Sequence, residues 1–215
     1  MNALRLTVFM ALLVWAGAAV GQAPWPEAGL DVKGMRDAAG WPVVPDLAQV
    51  GRGQTVPTVE IDEIVARDGE GFEQTVARAA TVAAAFTRQR GFEACALVCT
   101  NSQGQAAMRL TTNFSQVGCL TRHEPASCPV GYEMTKDTLH THPELFQARA
   151  NPVDSVFTGQ RRGRLLAIFP HDFSDKDRRS GPGYLVAMGR LLYQNGQDHD
   201  HEVSAIHAAS VSAPD

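Results

Sequence analysis

His140-Thr141-His142-Pro143 and, further along, Phe173-Ser174-Asp175-Lys176-Asp177 are the two stretches on which the reading of this chain turns. Side chains alternate along a strand, so histidines at i and i+2 on an extended segment point to the same face. Both imidazoles then reach one metal ion. A zinc site that does chemistry uses three protein ligands of nitrogen and oxygen type and keeps a fourth position for water. Asp177 is the candidate third ligand, so the expected metal ligands are His140, His142 and Asp177. A pair of histidines at this spacing also occurs as a plain surface or structural pair. The serine three residues before an aspartate is what favours the metal.

Working outward, Thr138 to His142 reads as a strand closed by Pro143. Upstream, Phe72, Val76, Ala79, Ala80, Ala83 and Phe86 fall at helical spacing within Glu70 to Arg90, and Gly91 terminates that helix. The stripe is read as core packing. Glu93 to Thr100 is short and apolar, a buried strand. Asn101 to Gln105 reads as a turn into a second strand, Ala106 to Thr112, and the two make a hairpin. Downstream, residues 144 to 172 contain Pro152, Gly159 and Gly163 and read as a long insertion with some structure, including a strand at Leu165 to Phe169. Ser174 suits the N-cap of a short helical turn containing Asp177. Gly183 to Met188 and Arg190 to Tyr193 read as a final hairpin around Gly189. The expected fold class is α/β, of the α+β kind. It has a mixed sheet built largely of hairpins, a flanking N-terminal helix and a long insertion.

The first 21 residues read as a signal peptide. Arg5 supplies the positive charge, Leu6 to Trp15 the apolar core, and Ala19-Val20-Gly21 the small residues before cleavage at Gln22. That core is too short to span a bilayer, which takes roughly 20 residues. Residues 22 to 60 read as a Pro/Gly-rich arm, 61 to 195 as the domain and 196 to 215 as a polar, loosely ordered tail. No later segment is long and apolar enough to span, so the mature chain is expected to be periplasmic or secreted. A formal charge of -4 offers no basic face for nucleic acid and no polybasic membrane patch.

Four cysteines lie between positions 95 and 128. In an oxidising compartment an even number suggests two disulfides. On one strand Cys95 and Cys99 stand about 13 Å apart, too far to bridge, so each is expected to pair with Cys119 or Cys128. A four-thiolate zinc site is the rival, but the short C-x-x-C knuckles are missing.

Hydrolysis at a zinc site also needs a general base and a donor for the developing oxyanion. Glu93, opening a buried strand directly after a helix and a glycine, is the candidate base. The other reading of Glu93 is a strand end facing solvent. Ser174 is the candidate donor. His171 is read as a loop residue rather than a fourth ligand, and His199, His201 and His207 as part of a solvated tail. The G-x-S-x-G of serine hydrolases and the H-x-E with P-C-x-x-C of zinc deaminases are absent.

Glu93 before an apolar strand, then His140-Thr141-His142-Pro143, then Ser174-x-x-Asp177 resembles the JAB/JAMM, or MPN-type, zinc metalloproteases. The nearest likeness is to a bacterial branch of JAMM-like domains found in secreted and toxin-associated proteins. The resemblance covers about residues 68 to 194. It implies a zinc ion (Zn2+) on His140, His142 and Asp177, Glu93 as general base and Ser174 stabilising the tetrahedral intermediate. The sequence departs from the pattern in two places. The 31 residues from Pro143 to Phe173 replace a short loop, and Ala96 stands where the family often has glycine. The insertion is expected to form a lid or a substrate-binding flap.

The expected function is therefore a secreted zinc peptidase or isopeptidase acting on a peptide or isopeptide-linked substrate. The alternatives are an inactive JAMM-like module with an envelope or secretion-system partner, and a toxin or effector domain.

Overall fold

The computed structural model describes residues 54–121, 128–196 and 200–206, together with the backbone of 46–50. The elements follow in the order β1 (Asp46–Val50), β2 (Gln54–Val65), α1 (Phe72–Arg90), β3 (Cys95–Thr100), β4 (Ala106–Thr112) and β5 (Glu133–Thr141). Then come β6 (Gln147–Arg149), α2 (Pro152–Thr158), β7 (Leu165–Ala167), α3 (Asp175–Ser180), β8 (Gly183–Ala187), β9 (Arg190–Gln194) and β10 (Asp200–Ala205). Among the described residues, eight strands form one mixed sheet in the order β1-β2-β4-β3-β5-β8-β9-β10, while β6 and β7 pair by themselves. The class is mixed α/β, as expected.

Strand alternation divides the sheet into two unlike faces. Ala94, Ala96 and Val98 beside β3, Leu139 of β5, and Tyr184 and Val186 of β8 join one core with α1. The helix offers Val76, Ala79, Ala80, Ala83 and Phe86 to it, all nearly or fully buried. Alanine is the strongest helix former and adds little width, so α1 lies close on the sheet. Its end comes where expected: Gly91 adopts φ 72, ψ 16 and its N–H donates to the Thr87 carbonyl.

The opposite face carries less apolar cover. Phe173, Leu185, Ala187 and Leu192 make one small cluster. Val56 and Val153 make another, with Leu120, Val156 and Phe157 packed against it. The second cluster seats α2 on β2.

One join in the sheet is parallel. Thr138 to Thr141 of β5 pair with Gly183 to Val186 of β8 in the same direction. A parallel pair cannot be closed by a tight turn and needs a crossover of about a dozen residues or more. The insertion and α3 together are that crossover, running from Pro143 to Pro182. The two strands approach closely at Gly183, where a Cβ would come within 2.7 Å of the Thr138 carbonyl oxygen.

Three expectations shift at the edges. The irregular arm expected over 22 to 60 gives way to strands β1 and β2 from Asp46 on, so a boundary at 61 falls inside β2. Gly51, Gly53 and Pro57 punctuate this stretch, and a register shift between Glu60 and Asp62 breaks the alternation of β2, so the buried Val56, Thr58, Val59, Ile61 and Ile64 show no simple period. The tail expected to be loose contains β10, paired along β9. Its composition is polar, but Ile206 is buried, Val203 packs on the core and Arg178 ion-pairs with Asp200. The strand expected from Glu93 begins at Cys95. The signal segment lies outside the described residues.

The disulfides are Cys95–Cys119 and Cys99–Cys128, with Cα separations of 6.1 and 5.7 Å. Both fit the expectation that Cys95 and Cys99 each reach one of the later cysteines. Two disulfides suit an oxidising compartment, extracellular or periplasmic. Among the described residues no helix is long and apolar enough to cross a membrane.

Candidate metal centre

The two histidines arrive on one face because β5 alternates. Leu139 enters the α1 core, and Thr141 is hydrogen-bonded to Thr87 on the same helix. His140 therefore points the other way. His142 follows just beyond the strand end and is 8 % exposed, its N–H donating to the Val186 carbonyl at 3.0 Å. Asp177 comes from α3, whose N-cap is Ser174, as expected.

The ligand atoms of His140, His142 and Asp177 all lie within 4.8 Å of one another. His140 Nε2 is 3.4 Å from Asp177 Oδ1, and His142 Nε2 is 3.5 Å from Oδ2. At such lengths these are electrostatic contacts, not good hydrogen bonds. His140 Nε2 is buried and has no hydrogen-bond partner among the described residues. A buried nitrogen left unsatisfied is costly, and this one faces an aspartate and a second imidazole in a set that could hold a cation. His142 supports the same reading. Its Nδ1 lies 2.7 Å from the Phe169 carbonyl, which only accepts, so Nδ1 carries the proton and Nε2 is free to ligate. Two imidazoles and a carboxylate fit a catalytic divalent-metal site.

Burial and charge act together here. Burial pushes His140 below the usual imidazole pKa, against the pull of Asp177. Burial works in the same direction on His142, but Asp177 and Glu93 outweigh it and raise that group. Asp177 would be raised by its burial, yet His140, His142 and Ser174 hold it far below the carboxylate range. It stays an anion at any ordinary pH.

Ser174 is committed to Asp177. Its N–H and its hydroxyl both donate to Asp177 Oδ2, at 2.8 and 2.7 Å. The hydroxyl oxygen in turn accepts from the Asp177 N–H at 3.3 Å. In this rotamer it orients a candidate ligand and caps α3.

Glu93 is 6 % exposed, so the solvent-facing strand end is not what the chain builds. Its backbone is pinned by its N–H on the Ser115 carbonyl and its own carbonyl accepting from Thr112. The β3–β5 register sets Cys95 across from His140, and Glu93 and His142 lie two positions beyond that pair, just past the strand ends. Burial lifts the Glu93 carboxyl to about 7, with His142 opposing and Asp177 adding to the shift. A bound cation would pull it back down.

All five expected site residues line one cavity of about 500 Å³. Its far wall is the loop Gln116 to Thr121, and its rim includes Ala167, Ile168 and Phe169 from the insertion. The insertion thus borders the site. His171 lies outside the ligand group; it is exposed and packs at a tilt against Phe146.

Sequence reasoning passed over Asp154. It is fully buried, accepts from Ser115 Oγ and the Gln116 N–H at 2.7 Å each, and takes the Asn151 N–H at 2.9 Å. It fixes the loop wall to α2. The Asn151-Pro152-x-Asp154 start of a helix was the available signal. Nothing in the sequence marked Phe169, whose contribution is a backbone carbonyl.

No family profile, curated protein or solved structure matches the chain.

Proposed function

We propose that this chain is a zinc-dependent peptidase or isopeptidase of the JAMM kind, hydrolysing an amide bond with water. One observation carries the reading: two imidazoles and a carboxylate converge on a cavity wall that also holds a buried second carboxylate, Glu93. The resemblance in residue order supports zinc as the ion. When bound there, zinc supplies Lewis acidity and a water that ionises near pH 7.

The residues divide the work. Phe169 fixes the tautomer of His142, and Ser174 fixes the rotamer of Asp177. Glu93 accepts a proton from the attacking water as its oxygen bonds to the carbonyl carbon. It returns that proton to the amine nitrogen as the C–N bond breaks. Ser174 serves the oxyanion only by turning its hydroxyl away from Asp177, so holding the ligand is its resting role. The two disulfides favour a periplasmic or extracellular setting, which limits substrates to peptides and isopeptide-linked chains there.

Elemental analysis of the purified mature chain tests the metal; one zinc per chain is expected. Glu93→Gln keeps the shape and cannot take the proton. It should retain zinc and lose about 10²–10⁴-fold in amide turnover. Full turnover in that variant would refute the role of Glu93. Stoichiometric zinc with no turnover on any peptide would favour the inactive binding module.

A further inference from the structure

The cavity has a single Lys or Arg among its described lining residues, Lys176. It stands next to Asp177 in sequence, and its charge is felt at Glu93 and His140. Among the described residues Lys176 has no ion-pair partner. Its ammonium lies 5.5 Å from the centroid of the Phe157 ring. Phe157 packs against Val56 and Val153, so this apolar rest is itself held in place.

The loop wall beside it is shaped to leave room. A Cβ on Gly118 would come within 3.2 Å of Phe157 and 3.4 Å of Lys176 Nζ. Any larger residue would press on the Phe157 ring over which the ammonium rests. Two positions earlier, Gln116 is 3 % exposed, and its Oε1 has no hydrogen-bond partner among the described residues. Its backbone is fixed by Asp154. A buried acceptor without a donor on the loop and an exposed cation without a counter-ion on α3 thus line one cavity, beside the proposed hydrolytic centre. Each lacks what a substrate would bring.

We infer that Lys176 and Gln116 form the subsite for the residue on the amine side of the scissile amide. Lys176 takes its carboxylate and Gln116 Oε1 accepts its N–H, so the substrate class is a peptide cut at its carboxyl end. This inference rests on the amide-hydrolase reading above. An acidic side chain beside the cut offers the same carboxylate chemistry, and the test separates the two sources.

The zinc-supplemented mature chain is given three N-acetylated tripeptide libraries: free acids, the same peptides amidated, and amidated peptides with a final Asp or Glu. Release of the last residue is read by mass spectrometry. Preference for free acids over amides is expected. Lys176→Met should lower kcat/KM on the free acids about 10–100-fold, mainly through KM, and Lys176→Arg should restore much of it. Preference for the acidic amides instead would assign the subsite to a side-chain carboxylate. Equal rates on all three libraries, or a free-acid preference that survives Lys176→Met, would overturn the subsite.

If no library is cleaved, the hydrolase reading fails on its own. Calorimetry with acetyl-trialanine and its amide then decides the subsite. Tighter binding of the acid that disappears in Lys176→Met supports it, and equal binding refutes it.

Discussion

The two walls of the metal centre are made by different means. His140 rides on β5 and His142 follows directly beyond its end, in the middle of a sheet hydrogen-bonded on both sides and backed by α1. Asp177 rides on a six-residue helix with no buried residue. The strand wall is placed by the fold as a whole. The helix wall is placed by a few polar contacts: Ser174 on Asp177, Gln194 on the Asp177 and Gly181 carbonyls, and Arg178 on Asp200. Rigid ligands come with the sheet. The adjustable one comes late in the chain and is tied down piece by piece.

Breaking the strand wall should have the largest effect. His142→Ala removes a ligand from the rigid side, and stoichiometric zinc should vanish from elemental analysis. A variant that still binds one zinc per chain would remove His142 from the ligand set.

The staples of the same wall come next. Cys95 stands opposite His140 in the ladder and is bridged to Cys119 on the cavity loop. Mass spectrometry of unreduced peptides should find both bridges and no free thiol. Each disulfide is typically worth about 2–4 kcal/mol, so losing both should cost several, read as a lower denaturant midpoint. A midpoint unmoved by reduction would show that the sheet holds itself.

Ser174→Ala tests the helix wall. The Asp177 carboxylate loses the hydroxyl donor and the Asp177 N–H loses its acceptor, while the bond from the residue 174 N–H to the carboxylate remains. Outer partners of metal ligands are commonly worth about 10–100-fold in affinity. Zinc binding should weaken by that order while thermal stability changes little. An unchanged zinc affinity would mean that α3 is held well enough by Gln194 and Arg178.

The smallest effect lies on the far side of the sheet. Hydrogen bonds from Arg78 hold the Glu70 carboxyl down to about 2. A depressed carboxyl stabilises fully above its unfolded value near 4.5, and the gain is lost as pH falls through about 2. Glu70 and Arg78 are partly exposed, so solvent screening limits the pair to about 1 kcal/mol. Arg78→Met should cost that much at pH 7 and less below pH 2, where only its bond to the Val65 carbonyl is still at stake, with zinc content unchanged. A loss of zinc would show that the α1 face and the site are coupled.

Much of the site was legible because its signals are local. The i, i+2 spacing puts His140 and His142 on one face whatever the sheet around them. Ser174 and Asp177 form a capping pair visible within four residues. Glu93 was half legible: its position after Gly91 suggested a special role, but its placement depends on Thr112, at the end of the next strand, and Ser115, in the loop beyond it. The fold was readable where periodicity is clean, in α1 and the β3–β4 hairpin. It was not readable at β1, β2 and β10. Those strands owe their form to neighbours: β10 is polar in composition and is held by its ladder with β9 and by Arg178. Lys176 and Gln116 had no signal at all, since nothing local marks a group whose partner is missing.

The parallel join of β5 to β8 has a temporal consequence. Glu93 and both histidines are present once β5 is laid down, but Asp177 is delivered only when the crossover closes and β8 docks. A half-finished chain therefore holds two imidazoles with no third arm and can grip a metal only weakly. If the site takes a metal as proposed, tight capture would be a late event that waits on the closing of this crossover.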